Sequence, residues 1–171
     1  MQAIRQPTDC GRTALLAKSI AFLSARRLGA IEWKKDLAMK VGDEKLGVIV
    51  FAHGSVVEEA NQGVHDLASE IRQLGRFHFV RAAFLDCAHP NLGEAIAEAV
   101  QAGSARLIVI PYFLTMGIHL RRDLPNLIAP ERERYPQVTI DVGQSLEGHP
   151  LMRSIILERV EQALRASEGG A

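Results

Sequence analysis

The chain has 171 residues, 47% of them hydrophobic, and its 20 Lys and Arg balance 20 Asp and Glu. That length supports one ordinary domain with a core of its own. Zero net charge excludes the broad electrostatic attraction by which nucleic acid or an anionic membrane is held, so an acidic partner needs a local basic cluster.

Residues 1–45 read as an extension, helical or disordered. Arg5, Arg12, Lys18, Arg26 and Arg27 face only Asp9 before Glu32. Leu15, Leu16, Ile20, Leu23 and Leu28 give Thr13 to Leu28 one apolar side if it is helical. The basic, acid-poor start resembles a presequence but lacks a continuous apolar core and a small-residue cleavage site. Ala14 to Leu23 is broken by Lys18 and Ser19 and falls short of the roughly 20 residues a bilayer span needs. Met39, just before the periodic region, makes a later start codon an open alternative.

From Leu46 onward, apolar runs alternate with amphipathic stretches, the pattern of repeated βα units. The first strand is expected over Leu46 to Ala52 and a helix over Glu58 to Leu74, ended by Gly75. A second strand is expected over Phe77 to Leu85, then a helix from Asn91 to Ala102, introduced by Pro90 and stopped by Gly103. The third strand runs from Arg106 to about Phe113. A loop carrying Gly117 and His119 follows, with Asp123 as N-cap of a helix over Leu124 to Arg134 and Pro125 in its first turn. Val138 to Val142 is the fourth strand, and His149-Pro150 opens a last helix reaching about Arg165. The tail 167–171 is expected to fray. The fold class is therefore α/β: a small four-stranded parallel sheet with helices on both faces and right-handed crossovers, in one domain over residues 46–166.

His53 and His119 each follow a β-branched apolar run, Val48 to Ala52 and Leu107 to Ile110, so both imidazoles are expected near the carboxyl edge of the sheet, where open α/β folds build their sites. A single histidine at a strand end is more often a packing residue. Two such positions beside Gly54-Ser55 and Gly117, where backbone and ligand approach closely, favour a binding role. Asp86 stands at the second strand's edge, and two His with one carboxylate suit Fe(II), Co(II), Ni(II) or Zn(II); an ordinary helix-capping Asp is nearly as good a reading. His65 and His78 read as surface or packing residues and His149 as a helix starter. His89 stays open between ligand and surface. Cys10 and Cys87 form no metal-ligand spacing, which favours a reducing, cytoplasmic location.

His53-Gly54-Ser55 with Ala60-Asn61, Ala83-Phe84-Leu85-Asp86 with Pro90, Pro111-Tyr112-Phe113-Leu114, Gly117, His119, Arg121-Arg122-Asp123-Leu124-Pro125 and His149-Pro150 occur in an order that resembles the short sirohydrochlorin cobaltochelatases, the CbiX type of the class II chelatases. The resemblance covers Leu46 to about Arg165. It implies a chelatase-like half-lobe that inserts Co(II), Fe(II) or Ni(II) into sirohydrochlorin, an acidic tetrapyrrole, with no cofactor beyond the metal substrate. It also implies a homodimer, because one lobe offers a single wall to a macrocycle. His53 and His119 match the family's metal and catalytic histidines. Three departures stand out: Asp86 replaces the family's usual Glu, Val56 replaces an Arg that often follows the HGS triplet, and the Gly usually two residues before the His-Pro pair is displaced to Gly148.

The chemistry agrees. Metal insertion removes two pyrrole protons and moves an ion from protein and water ligands to four ring nitrogens, and imidazole, with an ordinary pKa of about 6.5, both binds metal and takes protons near neutrality. One histidine holds the ion while the other accepts a proton; the sequence does not assign which. Arg121 and Arg122 are candidates for the substrate's carboxylates, and Ser55 and Asn61 for neutral contacts. Against this stands a metal-binding or metal-delivery module without turnover. A phosphate-binding domain is disfavoured because there is no GxxxxGK[ST] or GxGxxG, and Glu58-Glu59 would repel phosphate.

Overall fold

The computed structural model describes residues 45–75 and 77–168. The expectations for residues 1–44, including the Thr13 to Leu28 helix, and for residues 169–171 lie outside the described residues. The elements run β1 (Leu46–Ala52), α1 (Glu58–Leu74), β2 (Phe79–Phe84), α2 (Leu92–Gln101), β3 (Arg106–Pro111), α3 (Ile118–Arg134), β4 (Thr139–Val142) and α4 (Leu151–Glu168). The four strands are parallel in the order β2-β1-β3-β4.

β1 is buried at every residue, as expected of a central strand covered on both faces. Its alternate side chains enter two cores. Ile49 and Phe51 join Leu107, Val109, Ile96, Ile128 and Ile140 under α2 and α3, whereas Val48, Val50 and Ala52 join Val80, Ala82, Phe84 and Ala68 under α1. Chain direction reverses across the sheet between β1 and β3: the chain moves outward to β2, then returns past β1 to β3. That makes the carboxyl ends of β1 and β3 the topological switch point, where ligands of open α/β sheets bind.

Local chemistry explains most boundaries. α2 starts with a complete capping box, Asn91 Oδ1 accepting from the Glu94 N–H and the Glu94 carboxylate accepting from the Asn91 N–H. Hydrogen bonds from His89 and from the Asn91 backbone hold the Glu94 carboxyl below its ordinary range. The stability they supply is therefore present above the ordinary carboxylate pKa and is lost as pH falls through the lowered one. Gly103 ends α2 with φ +86, and the His149 ring accepts from the Leu151 N–H at the start of α4.

Four expectations need correction. β2 is shorter than Phe77 to Leu85, because its pairing with β1 begins at Gly47 opposite Phe79. β3 ends at Pro111: the Tyr112 N–H still bonds the Phe51 carbonyl, and Phe113 leaves the ladder to pack edge-on against Phe51 with ring centroids 5.9 Å apart. α3 begins at Ile118 with Gly117 as N-cap, so Asp123 is an exposed residue within the helix and Pro125 lies inside it. Burial of Leu124 and Ile128 outweighs the local cost of proline and holds one continuous helix. α4 continues past Arg165 to Glu168, so Ser167 and Glu168 belong to a helix.

Candidate functional site

The loop after β1 is built around one glycine. Gly54 has φ +90, and a Cβ placed on it would lie 1.9 Å from the Asp86 carbonyl oxygen. Only a residue without a side chain lets the chain leave β1 so close to the exit of β2. The two exits are tied together: the Asp86 N–H donates to the His53 carbonyl at 2.9 Å and the Leu85 N–H to the Ala52 carbonyl at 2.9 Å. On the other side the Tyr112 N–H donates to the Phe51 carbonyl at 2.7 Å. The ends of β2, β1 and β3 thus form one continuous ledge, and His53 stands in its middle.

The His53 side chain is exposed, and its ring makes no hydrogen bond to any described residue. Large apolar side chains border the ledge and face solvent: Val56 is 87% exposed, Val57 53%, Leu114 62% and Tyr112 40%. An unengaged imidazole beside an apolar rim is suited to a flat hydrophobic ring with polar centre atoms. The sequence marked Tyr112 and Leu114 only as motif positions and Val56 only as a departure, and none of the four as a binding contact, because isolated apolar residues in loops carry no periodic signal.

His119 is placed in the first turn of α3, not in a loop, and its side chain lies outside the described residues. Since α3 follows β3 and β3 pairs with β1, its backbone belongs to the strand end next to that of His53. Asp86 follows β2 on the opposite flank. Its exposed carboxylate accepts from the adjacent Cys87 N–H at 2.8 Å, and the helix-capping expectation for Asp86 is corrected, because Asn91, five residues on, caps α2. Among the described residues, no three His, Cys, Asp or Glu side chains come together as a metal-holding group. The neighbouring Cys87 thiol is pushed up by desolvation and by the Asp86 carboxylate, which leaves it a poor thiolate ligand.

Asn61 is not an open contact. It is 3% exposed, its Oδ1 accepts from the Ser55 N–H at 2.9 Å and its Nδ2 donates to the Ser55 carbonyl at 2.8 Å. Both ends of the amide lock the loop that carries His53, while Ser55 Oγ accepts from the Val57 N–H. Asn61→Leu fills similar space but leaves the Ser55 N–H and C=O unpaired, so urea unfolding should show a loss of about 1–3 kcal/mol. An unchanged midpoint would mean that the two bonds contribute nothing to the loop.

The two arginines differ. Arg121 donates through Nη2 to Glu147 Oε2 at 2.6 Å and through Nε to the Met116 carbonyl at 3.1 Å, joining the β3–α3 loop to the β4–α4 connection. Arg122 is exposed and forms no ion pair with a described residue, which leaves its guanidinium open to a carboxylate. Glu147 escaped sequence reasoning, since a lone acid in a loop has no pattern. A cleft of about 360 Å³ opens beside Arg121, lined by Met116, Leu124, Ile128 and Val142. His65 packs edge-on against Phe84 and His78 bonds the Ala102 carbonyl, both structural as expected. The exposed His89 pairs with Glu94 at 2.9 Å, next to the α2 cap.

Known proteins are similar to this chain in sequence and fold. The chain is 26% identical over 139 residues to the sirohydrochlorin cobaltochelatase of Methanopyrus kandleri, covering 70% of this chain and 97% of that one. It is 28% identical over 131 residues to the chloroplastic sirohydrochlorin ferrochelatase of Arabidopsis thaliana, covering 77% of this chain and 58% of the plant protein's length. The crystal structure of a putative cobalamin (vitamin B12) biosynthesis CbiX protein from Marinobacter aquaeolei VT8 superposes with a TM-score of 0.63 at 26% identity, over 71% of this chain and 98% of the other. Among the described residues no helix is long and apolar enough to cross a membrane. The family model for CbiX matches residues 47–163, from the first strand into the last helix, and the chain belongs to the CbiX family.

Proposed function

We propose that this protein is a sirohydrochlorin chelatase, a lyase that inserts Co(II), Fe(II) or Ni(II) into the tetrapyrrole on the route to cobalamin or sirohaem. The observation that carries the reading is the exposed, unengaged imidazole of His53 at the switch point of a CbiX-family sheet. Relatives named as cobalto- and ferrochelatases support the substrate and, among the three metals, Co(II) and Fe(II).

In this reading residues 46–166 are the catalytic unit, with residues 1–45 an N-terminal extension and 167–171 a tail. His53 and His119 bind the incoming ion and accept the pyrrole protons. The apolar rim of Val56, Val57, Tyr112 and Leu114 takes the macrocycle, and Arg122 meets one of its carboxylates, with Arg121 beside it if Glu147 is displaced. Ser55 borders the ring, and Asn61 acts by holding Ser55 in place. Asp86 serves the metal only if its carboxylate leaves the Cys87 N–H. The metal is a substrate, and the chemistry calls for no redox or nucleotide cofactor. The protein works in the cytoplasm as a C2 homodimer, two ledges facing each other across the ring.

The test is anaerobic turnover of sirohydrochlorin with each metal in turn, followed by the change in the tetrapyrrole absorption spectrum. Catalytic conversion with at least one metal is expected. Absence of turnover with all three, together with stoichiometric metal binding, would favour the delivery module instead. Ligand type alone does not choose the metal, because affinity rises from Fe(II) through Co(II) to Ni(II) at almost any nitrogen and oxygen site.

A further inference from the structure

The first turn of α3 carries His119, and local structure holds that turn weakly at both ends. At its front, Gly117 caps the helix without a side-chain hydrogen bond, and no acidic residue stands in the turn to complement the N–H groups that a helix start leaves unpaired. At its back, Pro125 has no N–H to give to the carbonyl of Arg121, so the ladder from this turn to the rest of the helix lacks a rung. Leu124 and Ile128, the residues of α3 that are buried in the core, lie beyond the turn.

Side chains supply what the backbone omits. Arg121, the last residue of the turn, donates through Nε to the Met116 carbonyl at 3.1 Å and through Nη2 to Glu147 Oε2 at 2.6 Å. The same carboxylate oxygen accepts from the Met116 N–H at 3.4 Å. Both main-chain groups of Met116, the residue before the cap, are thereby engaged, one by each partner of the ion pair. The connection that carries Glu147 starts from the sheet itself, since the Gly143 N–H donates to the Val109 carbonyl at 2.9 Å. It then turns at Gly148, which takes φ +70, and the His149 N–H closes the turn on the Leu146 carbonyl at 3.1 Å.

We infer, on the chelatase reading given above, that Glu147 is a positioning residue for metal insertion: through Arg121 and Met116 it holds the uncapped first turn of α3, and with it the backbone of His119, at the strand end next to that of His53. Arg121 is then a strut that stays with Glu147 while the ring is bound, and Arg122 is the arginine that meets a carboxylate. The charges by themselves contribute little, because the Arg121 side chain is 62% exposed and that of Glu147 36%, and solvent screens the pair. The contribution is geometric. Loss of the Glu147 carboxylate takes one bond from Arg121 and one from Met116, and a shift of about 1 Å in a reacting group costs on the order of 10²-fold in rate.

The test compares the full native chain with Glu147→Ala, Glu147→Gln, Arg121→Ala and the Arg121→Ala, Glu147→Ala double variant. In Glu147→Ala, kcat for metal insertion should fall about 10–10²-fold with KM for sirohydrochlorin near the native value. Glu147→Gln, whose amide oxygen still accepts from Arg121, should recover part of that loss. The double variant should be no slower than Arg121→Ala alone, because the carboxylate acts through the guanidinium. A KM that falls in Glu147→Ala with kcat unchanged would mean that Glu147 merely occupies a substrate-binding arginine, and would overturn the positioning role, as would losses that simply add. Amide hydrogen exchange of the unliganded chain gives a second readout that needs no tetrapyrrole. The Met116 amide and those of residues 121–124 should exchange roughly threefold to tenfold faster in Glu147→Ala and close to the native rate in Glu147→Gln, with residues 46–52 of β1 unchanged. Unchanged exchange beside native turnover would overturn the strut alone. A native chain without turnover would overturn the chelatase reading and the positioning role with it, even where exchange at the turn responds as expected.

Discussion

Replacement of His53 by alanine is expected to slow metal insertion into sirohydrochlorin by about 10²–10⁴-fold, the range for removing a group that takes protons in the transition state. The fold should survive unchanged. The side chain is exposed and bonds to no described residue, so removing it leaves no cavity and no unpaired partner. What goes is the imidazole at the middle of the ledge, where the ends of β2, β1 and β3 meet. The informative comparison is kcat against KM for sirohydrochlorin. A fall in kcat with KM nearly constant identifies a group that acts on the reacting centre, whereas a rise in KM alone would reduce His53 to a binding contact. Full activity in the variant would remove the proposed mechanism.

Gly54→Ala should have the largest effect on stability among substitutions at the site, a loss of about 3 kcal/mol in urea unfolding, combined from left-handed backbone strain and a main-chain displacement. The added Cβ would sit 1.9 Å from the Asp86 carbonyl oxygen, a fixed backbone atom with no rotamer to change. Relief requires the two strand exits to part, which breaks the bond from the Asp86 N–H to the His53 carbonyl. Insertion activity should therefore fall with stability. Gly63→Ala is the control: Gly63 lies within α1, nothing stands within 4 Å of its added Cβ, and the change should stabilise by about 0.5–1 kcal/mol. Equal behaviour of the two variants would show that the close approach at Gly54 is not a constraint.

The same residues show where sequence reasoning works and where it stops. Leu46 to Ala52 could be read as a central strand because seven buried residues in a row leave an unbroken apolar run. Glu58 to Leu74 could be bounded because its apolar spacing is helical and Gly75 ends it. α3 was misread at its start. Asp123 and Pro125 are strong local signals for a helix N-terminus, yet packing of Leu124 and Ile128 against β3 and β4 carries the helix back to Gly117. Asn61 was misread for a similar reason: its amide is a plausible ligand contact in isolation, and only the return of the chain past Ser55 shows both its ends engaged.

The order of apolar runs, glycines and histidines in this chain was enough to specify parallel βα units and to put His53 at a strand's carboxyl end, because strand burial and turn geometry are local properties written in consecutive residues. Which strand ends lie side by side, and that Arg121 is engaged by Glu147 while Arg122 stays open, were decided by the tertiary structure. Those are contacts between residues distant along the chain, and no periodicity within one segment records which other segment folding will bring against it.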